Sequence, residues 1–129
     1  MLEIKNIHHV AVLTNDYLKS KKFYTKILGF RILAEVYREE KKSWKLDLAI
    51  DGIYQIELFS FPEFKERASF PEAKGLRHLA FSVPNVDDAF LYLKANKVKV
   101  EPIRIDEYTG KKFVFFYDPN NQPLELYEM

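Results

Sequence analysis

Two histidines and two glutamates recur in this chain at matching intervals. His9-Val10-Ala11 is followed by Ile56-Glu57-Leu58-Phe59, and His78-Leu79-Ala80 is followed by Leu124-Glu125-Leu126-Tyr127. From histidine to glutamate the interval is 48 residues in the first half and 47 in the second, which makes chance similarity of short apolar strands a poor explanation. If the halves pack with pseudo-twofold symmetry, the four side chains converge on one point. Two imidazoles and two carboxylates then form a site for a divalent metal.

Strand phase refines this set. Successive side chains on a strand alternate faces, so His9 shares a face with Ala11 and Leu13, whereas His8 turns away with Val10 and Val12. His78 has the same phase, with Ala80 and Ser82, and the small residue two places on leaves space beside each imidazole on an inward face. A single strand histidine is ordinarily a hydrogen-bonded structural residue; the repetition argues for more. Glu57 lies between Ile56 and Leu58, and Glu125 between Leu124 and Leu126, so both face away from the aliphatic layer. An isolated strand carboxylate is usually solvated. Here an aromatic follows at the next position on each face, Phe59 and Tyr127, which suggests enclosure. An enclosed carboxylate without a cation is costly, and a metal removes that cost. Two neutral imidazoles and two carboxylates around a divalent ion are formally neutral. The expectation is one divalent ion per site, with nickel, cobalt or zinc preferred and manganese or ferrous iron also suited to mixed nitrogen and oxygen donors. Octahedral coordination would leave two positions for water or substrate oxygens, and a loosely held glutamate could move a proton.

These residues need a frame, and the pattern around them predicts one. Residues 7–13 read as a strand, Asn15-Asp16 as the cap of a helix over 17–27, and Gly29 as its stop. Strands follow over 30–37, 44–50 and 54–61, the last two joined by a tight Asp51-Gly52 turn. The connector 62–74 contains two prolines and alternating charges. The order then repeats, with a strand over 76–83, a helix over 86–96 capped near Asn85, and strands near 98–102, 111–117 and 123–128. Helix residues Phe23, Ile27 and Leu28 find a counterpart in Phe90 and Leu93, although amphipathicity alone produces similar patterns.

With 129 residues the chain is long enough for one compact domain, or two small modules sharing a core. Apolar content of 47%, charged content of 30% and a formal charge of +1 are those of a soluble protein without a nucleic-acid or anionic-membrane partner. The absence of cysteine excludes disulfides, thiolate ligands and a cysteine nucleophile. MLEIKNIHH lacks the layout of a signal peptide and no apolar run reaches membrane-spanning length, so the expected location is cytoplasmic.

Beyond these readings, HHVAVLTNDYLKSKKFYTKILGF resembles the opening His-strand and Phe-Tyr-x-x-x-Leu-Gly signature of the vicinal oxygen chelate superfamily, which includes glyoxalase I. QIELFSF, GLRHLAFSV and DPNNQPLELYE resemble its second, third and fourth ligand segments, so the likeness covers essentially the whole chain. VYREEKKSWKLDLAI is similar to a subgroup of small bacterial glyoxalase-like proteins of unsettled substrate. The resemblance implies an α+β fold over residues 1–129, with tandem βαβββ modules of about 1–61 and 75–129 forming a curved, barrel-like sheet around a metal cavity. It puts His9, Glu57, His78 and Glu125 on the four metal positions of glyoxalase I, with Glu125 also on the catalytic base.

The activity so implied is that of a metal-dependent lyase or isomerase resembling lactoylglutathione lyase. It would act on the hemithioacetal of a 2-oxoaldehyde such as methylglyoxal by proton transfer through a metal-bound enediolate. An anionic thiol would need cations at the rim, for which Arg38, Arg77, Arg104, Lys111 and Lys112 are candidates, each otherwise a plain surface charge. Partners would be a small-molecule substrate and a second copy of the chain in a homodimer, with the ligand pairs in one chain or across the dimer. Within the family, dioxygenases and fosfomycin-resistance transferases use two His and one Glu, and methylmalonyl-CoA epimerases typically have Gln at the second position, so Glu57 favours the isomerase branch. The alternatives are another metal-dependent enzyme on the same scaffold, whether epimerase, dioxygenase or thiol transferase, or a non-catalytic protein holding a small molecule. The 16% aromatic content suits the last, and the intact quartet argues against it.

Overall fold

Val12 and Thr14 are buried on the first strand while Ala11 and Leu13 are exposed, so the strand alternates, but the face expected to turn inward with His9 is the open one. Residues 1–129 are all described, in a computed structural model. The chain divides into two compact units, Met1–Lys65 and Glu66–Met129.

In the first unit β1 (Val10–Thr14) leads into α1 (Tyr17–Lys22), capped by Asp16, whose side chain accepts from the Lys19 amide at 3.1 Å. The helix predicted over 17–27 is not uniform: Phe23–Ile27 is a π-helical turn in which the Leu28 amide reaches back to the Phe23 carbonyl at 3.0 Å. This wide turn carries Phe23 and Tyr24 into the core before Gly29, at φ 78°, ends the segment. Then follow β2 (Arg31–Arg38), β3 (Ser43–Ile50) and β4 (Ile53–Ser60). Between β3 and β4, Asp51 at φ 49° and Gly52 at φ 80° make the expected tight hairpin, both in the left-handed region that such turns demand.

The second unit repeats the order with β5 (Leu79–Val83), α2 (Val86–Ala95), β6 (Arg104–Ile105), β7 (Lys112–Tyr117) and β8 (Pro123–Glu128). Asn85 caps α2 by accepting from the Asp88 amide at 2.9 Å. The strand predicted near 98–102 survives only as local pairing: Val100 bridges Phe116, and the Glu101 amide donates to the Phe115 carbonyl at 2.9 Å. Pro102 has no amide hydrogen to continue the ladder, so regular pairing resumes only in the two-residue β6.

Each unit forms its own four-stranded mixed sheet, ordered β1-β4-β3-β2 and β5-β8-β7-β6. In each, the helical crossover after the first strand allows it to pair in parallel with the last, while the other pairings are antiparallel. This corrects the barrel-like expectation. Closure requires a ladder that runs from the last strand back to the first. Here β1 and β2 are edges of one sheet and β5 and β6 edges of the other, so both sheets are open and neither is strongly curled. Leu46, Leu48, Ile56 and Leu58 are buried in the first unit; Val114, Phe116, Leu124 and Leu126 are their counterparts in the second. No helix is long and apolar enough to cross a membrane.

Candidate functional site

The parallel strand pairs hold the four candidate residues in one register. Ala11 lies opposite Glu57 in β1–β4, and Ala80 lies opposite Glu125 in β5–β8. Each histidine stands two residues before its alanine, immediately ahead of its strand. His9 Nε2 is 3.7 Å from Glu57 Oε1, beyond hydrogen-bonding distance, and His78 Nε2 is 3.0 Å from Glu125 Oε2, within it. Sequence spacing therefore brings each histidine beside its own glutamate.

Around Glu57 the neighbours are polar. The Tyr54 ring stacks on His9 with centroids 5.2 Å apart and planes 7° from parallel. Its hydroxyl hydrogen is shared between Glu57 Oε2 at 2.8 Å and Asp47 Oδ1 at 3.1 Å. Lys45 Nζ holds both oxygens of Asp47, at 2.7 and 2.9 Å, and lies 3.5 Å from Glu57. Burial, followed by the bonds to Glu57 and Asp47, pushes the Tyr54 phenol well above its ordinary range, and Asp47 holds the Lys45 ammonium above its own. His8 does not simply turn away. Because residues 8 and 9 precede β1, strand alternation does not govern them, and His8 Nδ1 lies 2.8 Å from His9 Nδ1.

Around Glu125 the equivalent positions are aromatic. Asp47 faces Glu57 across the β3–β4 ladder; at the corresponding place in β7–β8, Phe115 faces Glu125. Lys45 faces Phe59, and its counterpart Phe113 faces Tyr127, on whose ring it stacks. His78 meets Phe115 edge to face at 5.0 Å. Glu125 is buried, with His78 Nε2 as its polar neighbour at 3.0 Å. His78 Nδ1 is buried and has no hydrogen-bond partner. A histidine ligating a metal through Nε2 carries its remaining hydrogen there, on the nitrogen that ordinarily finds an acceptor.

No group of three or more His, Asp or Glu side chains is gathered closely enough to hold a metal ion; the structure brings together one of the candidate histidine–glutamate pairs in each unit. As donor chemistry these fit a divalent cation, because each Nε2 already faces a carboxylate oxygen. The rim cations are mostly engaged. Arg38 lies 4.5 Å above Phe59 and donates to Ser43, Arg77 pairs with Glu72, Lys112 pairs with Asp87 at 2.6 Å, and Arg104 lies 5.0 Å above Phe115. Lys111 is exposed. Sequence reasoning missed Lys45, Asp47 and Tyr54. The alternation of Lys45 and Asp47 with Leu46 and Leu48 was the available signal that they share the face of Glu57.

Comparison with known proteins agrees in extent with this architecture. The family model described as Glyoxalase/Bleomycin resistance protein/Dioxygenase superfamily matches residues 6–126. The chain is 58% identical to the uncharacterized protein YaeR of Escherichia coli, covering 99% of each chain. It is 55% identical to the uncharacterized protein YwkD of Bacillus subtilis, covering 97% of this chain and 98% of that one. A glyoxalase family protein from Enterococcus faecalis has a solved structure with a TM-score of 0.88 and 46% identity, covering 96% of this chain and 98% of that one. More distant relatives carry named activities: a 2-epi-5-epi-valiolone epimerase from Actinomyces at 28% identity, the metallothiol transferase FosB of Staphylococcus epidermidis at 28%, and a lactoylglutathione lyase of Schizosaccharomyces pombe at 25%. The match spans 77% of the epimerase, 84% of the transferase and 46% of the lyase.

Proposed function

This chain belongs to the glyoxalase/bleomycin resistance protein/dioxygenase superfamily, and from that premise we propose that it is a divalent-metal-dependent enzyme that moves a proton on a small oxygenated molecule, an epimerase or isomerase in reaction type. The proposal is broader than glyoxalase I. Relatives with named activities include an epimerase and a thiol transferase matched over more of their length than the lactoylglutathione lyase, so the hemithioacetal is one candidate substrate among several.

The observation that carries the proposal is the repeated register of histidine beside glutamate, joined to the unequal tethering of the two carboxylates. His9, Glu57, His78 and Glu125 would hold the ion, and a bound divalent ion supplies the Lewis acidity that makes a hydrogen next to a substrate carbonyl removable. Glu57 is restrained by Tyr54 and Lys45, which suits a residue that stays in place. Glu125 has fewer restraints. In this reading Glu125 takes the carbon-bound proton on its carboxylate and returns it to the neighbouring carbon; inversion at one carbon would need a second proton donor on the opposite face. Phe115 faces that carboxylate across the β7–β8 ladder and gives it an apolar wall.

The test uses the purified chain loaded in turn with nickel, cobalt, zinc and manganese. Methylglyoxal with glutathione, and a panel of hydroxyketones and oxo acids, are incubated in deuterated water and followed by NMR. Deuterium entering the carbon beside the carbonyl, only in the presence of metal, is the expected result. Failure to bind any of these ions stoichiometrically would end the proposal.

A further inference from the structure

His8 stands outside the set of four, yet it is the polar side chain that meets the second ring nitrogen of His9. Nε2 of His9 faces Glu57 Oε1 across 3.7 Å, whereas Nδ1 lies 2.8 Å from His8 Nδ1. Two lone pairs, or two hydrogens, would repel at that distance, so one of the nitrogens carries a hydrogen and the other accepts it. Tyr54 keeps the rings in this relation. It stacks on His9 at 5.2 Å with planes 7° apart and meets His8 edge on at 5.3 Å and 85°, which leaves the two imidazoles close to perpendicular, at 79°. The same phenol reaches Glu57 Oε2 at 2.8 Å, so one side chain aligns both histidines and the carboxylate.

The direction of the bond between the histidines is decided at Nε2 of His9. A neutral imidazole has one hydrogen, and a cation at Nε2 uses that nitrogen's lone pair, so the hydrogen lies on Nδ1 and needs an acceptor. Carboxylates and backbone carbonyls ordinarily serve; here the atom in place is His8 Nδ1. We propose that His8 is a positioning residue for the metal ligand His9. It accepts the Nδ1 hydrogen, keeps its own on Nε2, and so holds the ring with the other nitrogen turned to the ion beside Glu57. This role rests on that of His9 as a ligand. The second unit has no counterpart. Arg77 precedes His78 and has no acceptor in its side chain, and His78 Nδ1 is without a hydrogen-bond partner. Two histidines that correspond in sequence therefore differ in what supports them.

The experiment compares the full-length wild type with His8→Phe and His8→Asn, using zinc as the probe. Phenylalanine keeps a ring edge for Tyr54 and removes the nitrogen; asparagine gives up the ring but can set its amide oxygen where Nδ1 stands. Zinc affinity, measured by competition with a chelator, should fall about tenfold in His8→Phe, the usual loss when the outer partner of a ligand is removed, and be regained in His8→Asn. The chain has three histidines, so the ring nitrogens seen by NMR are assigned by substitution. At saturating zinc, wild-type His9 should hold its hydrogen on Nδ1 and His8 on Nε2, and the His9 hydrogen should exchange with water faster in His8→Phe. Equal affinity in wild type and His8→Phe, no recovery in His8→Asn, or a zinc-loaded protein with the His8 hydrogen on Nδ1 would each overturn the assignment. Metal content separates the two roles. Stoichiometric zinc that survives His8→Phe without loss of affinity removes His8 and leaves His9 as ligand, whereas a wild type that takes up no zinc removes both.

Discussion

The two histidine–glutamate pairs share one register in two sheets, yet their surroundings are opposite in character. Glu57 sits in a network of Lys45, Asp47 and Tyr54, while Glu125 lies among Phe113, Phe115 and Tyr127 with His78 as its polar neighbour. Backbone pairing sets which histidine meets which glutamate. Cross-strand neighbours then decide what each carboxylate can do, since a carboxylate fixed by a phenol and an ammonium is a positioned donor and a sparsely held one is free to exchange a proton.

The largest expected effect separates these roles. Glu125→Gln should lower deuterium exchange into substrate by about 100-fold or more, the usual contribution of a general base, with folding retained. Glu57→Gln should act mainly on metal content, and equal losses of activity in the two variants at equal metal loading would erase the distinction. Next, Phe115→Asp places a carboxylate beside Glu125 as Asp47 stands beside Glu57, but without a lysine. A cost of about 3 kcal/mol in urea unfolding is expected from lost apolar contact and an unpaired charge. Adding Phe113→Lys, which copies the Lys45 position, should recover part of it; no recovery would mean that the polar network of the first unit cannot be transplanted. A smaller change is expected from Tyr54→Phe, which keeps the ring on His9 and removes the hydroxyl from Glu57 and Asp47. Metal affinity measured by competition with a chelator should fall about tenfold, as for other residues that orient ligands.

The smallest effect concerns the other polar cluster of the first unit. Glu35 accepts from Lys21 Nζ at 2.7 Å and from the Tyr17 hydroxyl, and these bonds hold its carboxyl below the ordinary range. A group with a lowered folded-state pKa contributes stability that is complete above its unfolded pKa and is lost as pH falls through the folded one. Glu35→Gln should therefore cost about 1 kcal/mol or less near neutral pH, with the gap to wild type closing in acid. A gap independent of pH would show that the bonds from Lys21 and Tyr17 do not favour the ionised form of Glu35.

Much of this arrangement could be read from residue order. The His-to-Glu intervals correspond to the parallel ladders in which Ala11 meets Glu57 and Ala80 meets Glu125, because a strand–helix–strand crossover fixes which ends of the chain pair. Asp51-Gly52 and Gly29 were equally plain, since few residues adopt positive φ without cost. Tyr54 was hidden by its place: it stands three residues before Glu57, beside a register shift between Leu48 and Ala49 that periodicity does not reveal. Sheet closure was invisible for a different reason. Open and closed sheets share the same alternation, and only pairing partners distinguish them. Arg67 lies in the connector, whose composition announces a surface crossing and nothing about the side chain that clasps the carbonyls of Leu76 and Arg77.

The grip of Arg67 on the carbonyls of Leu76 and Arg77 has a practical consequence for protein engineering. Residues 68–75 form a closed excursion whose exit, one residue before His78, is pinned by Arg67 at its entrance as well as by the Glu72–Arg77 pair. Each doubling of such a loop adds only about 0.6 kcal/mol of closure entropy. A short peptide tag spliced after exposed Lys74 would thus be carried outside the clamp, giving the chain an internal attachment point that leaves both termini untouched.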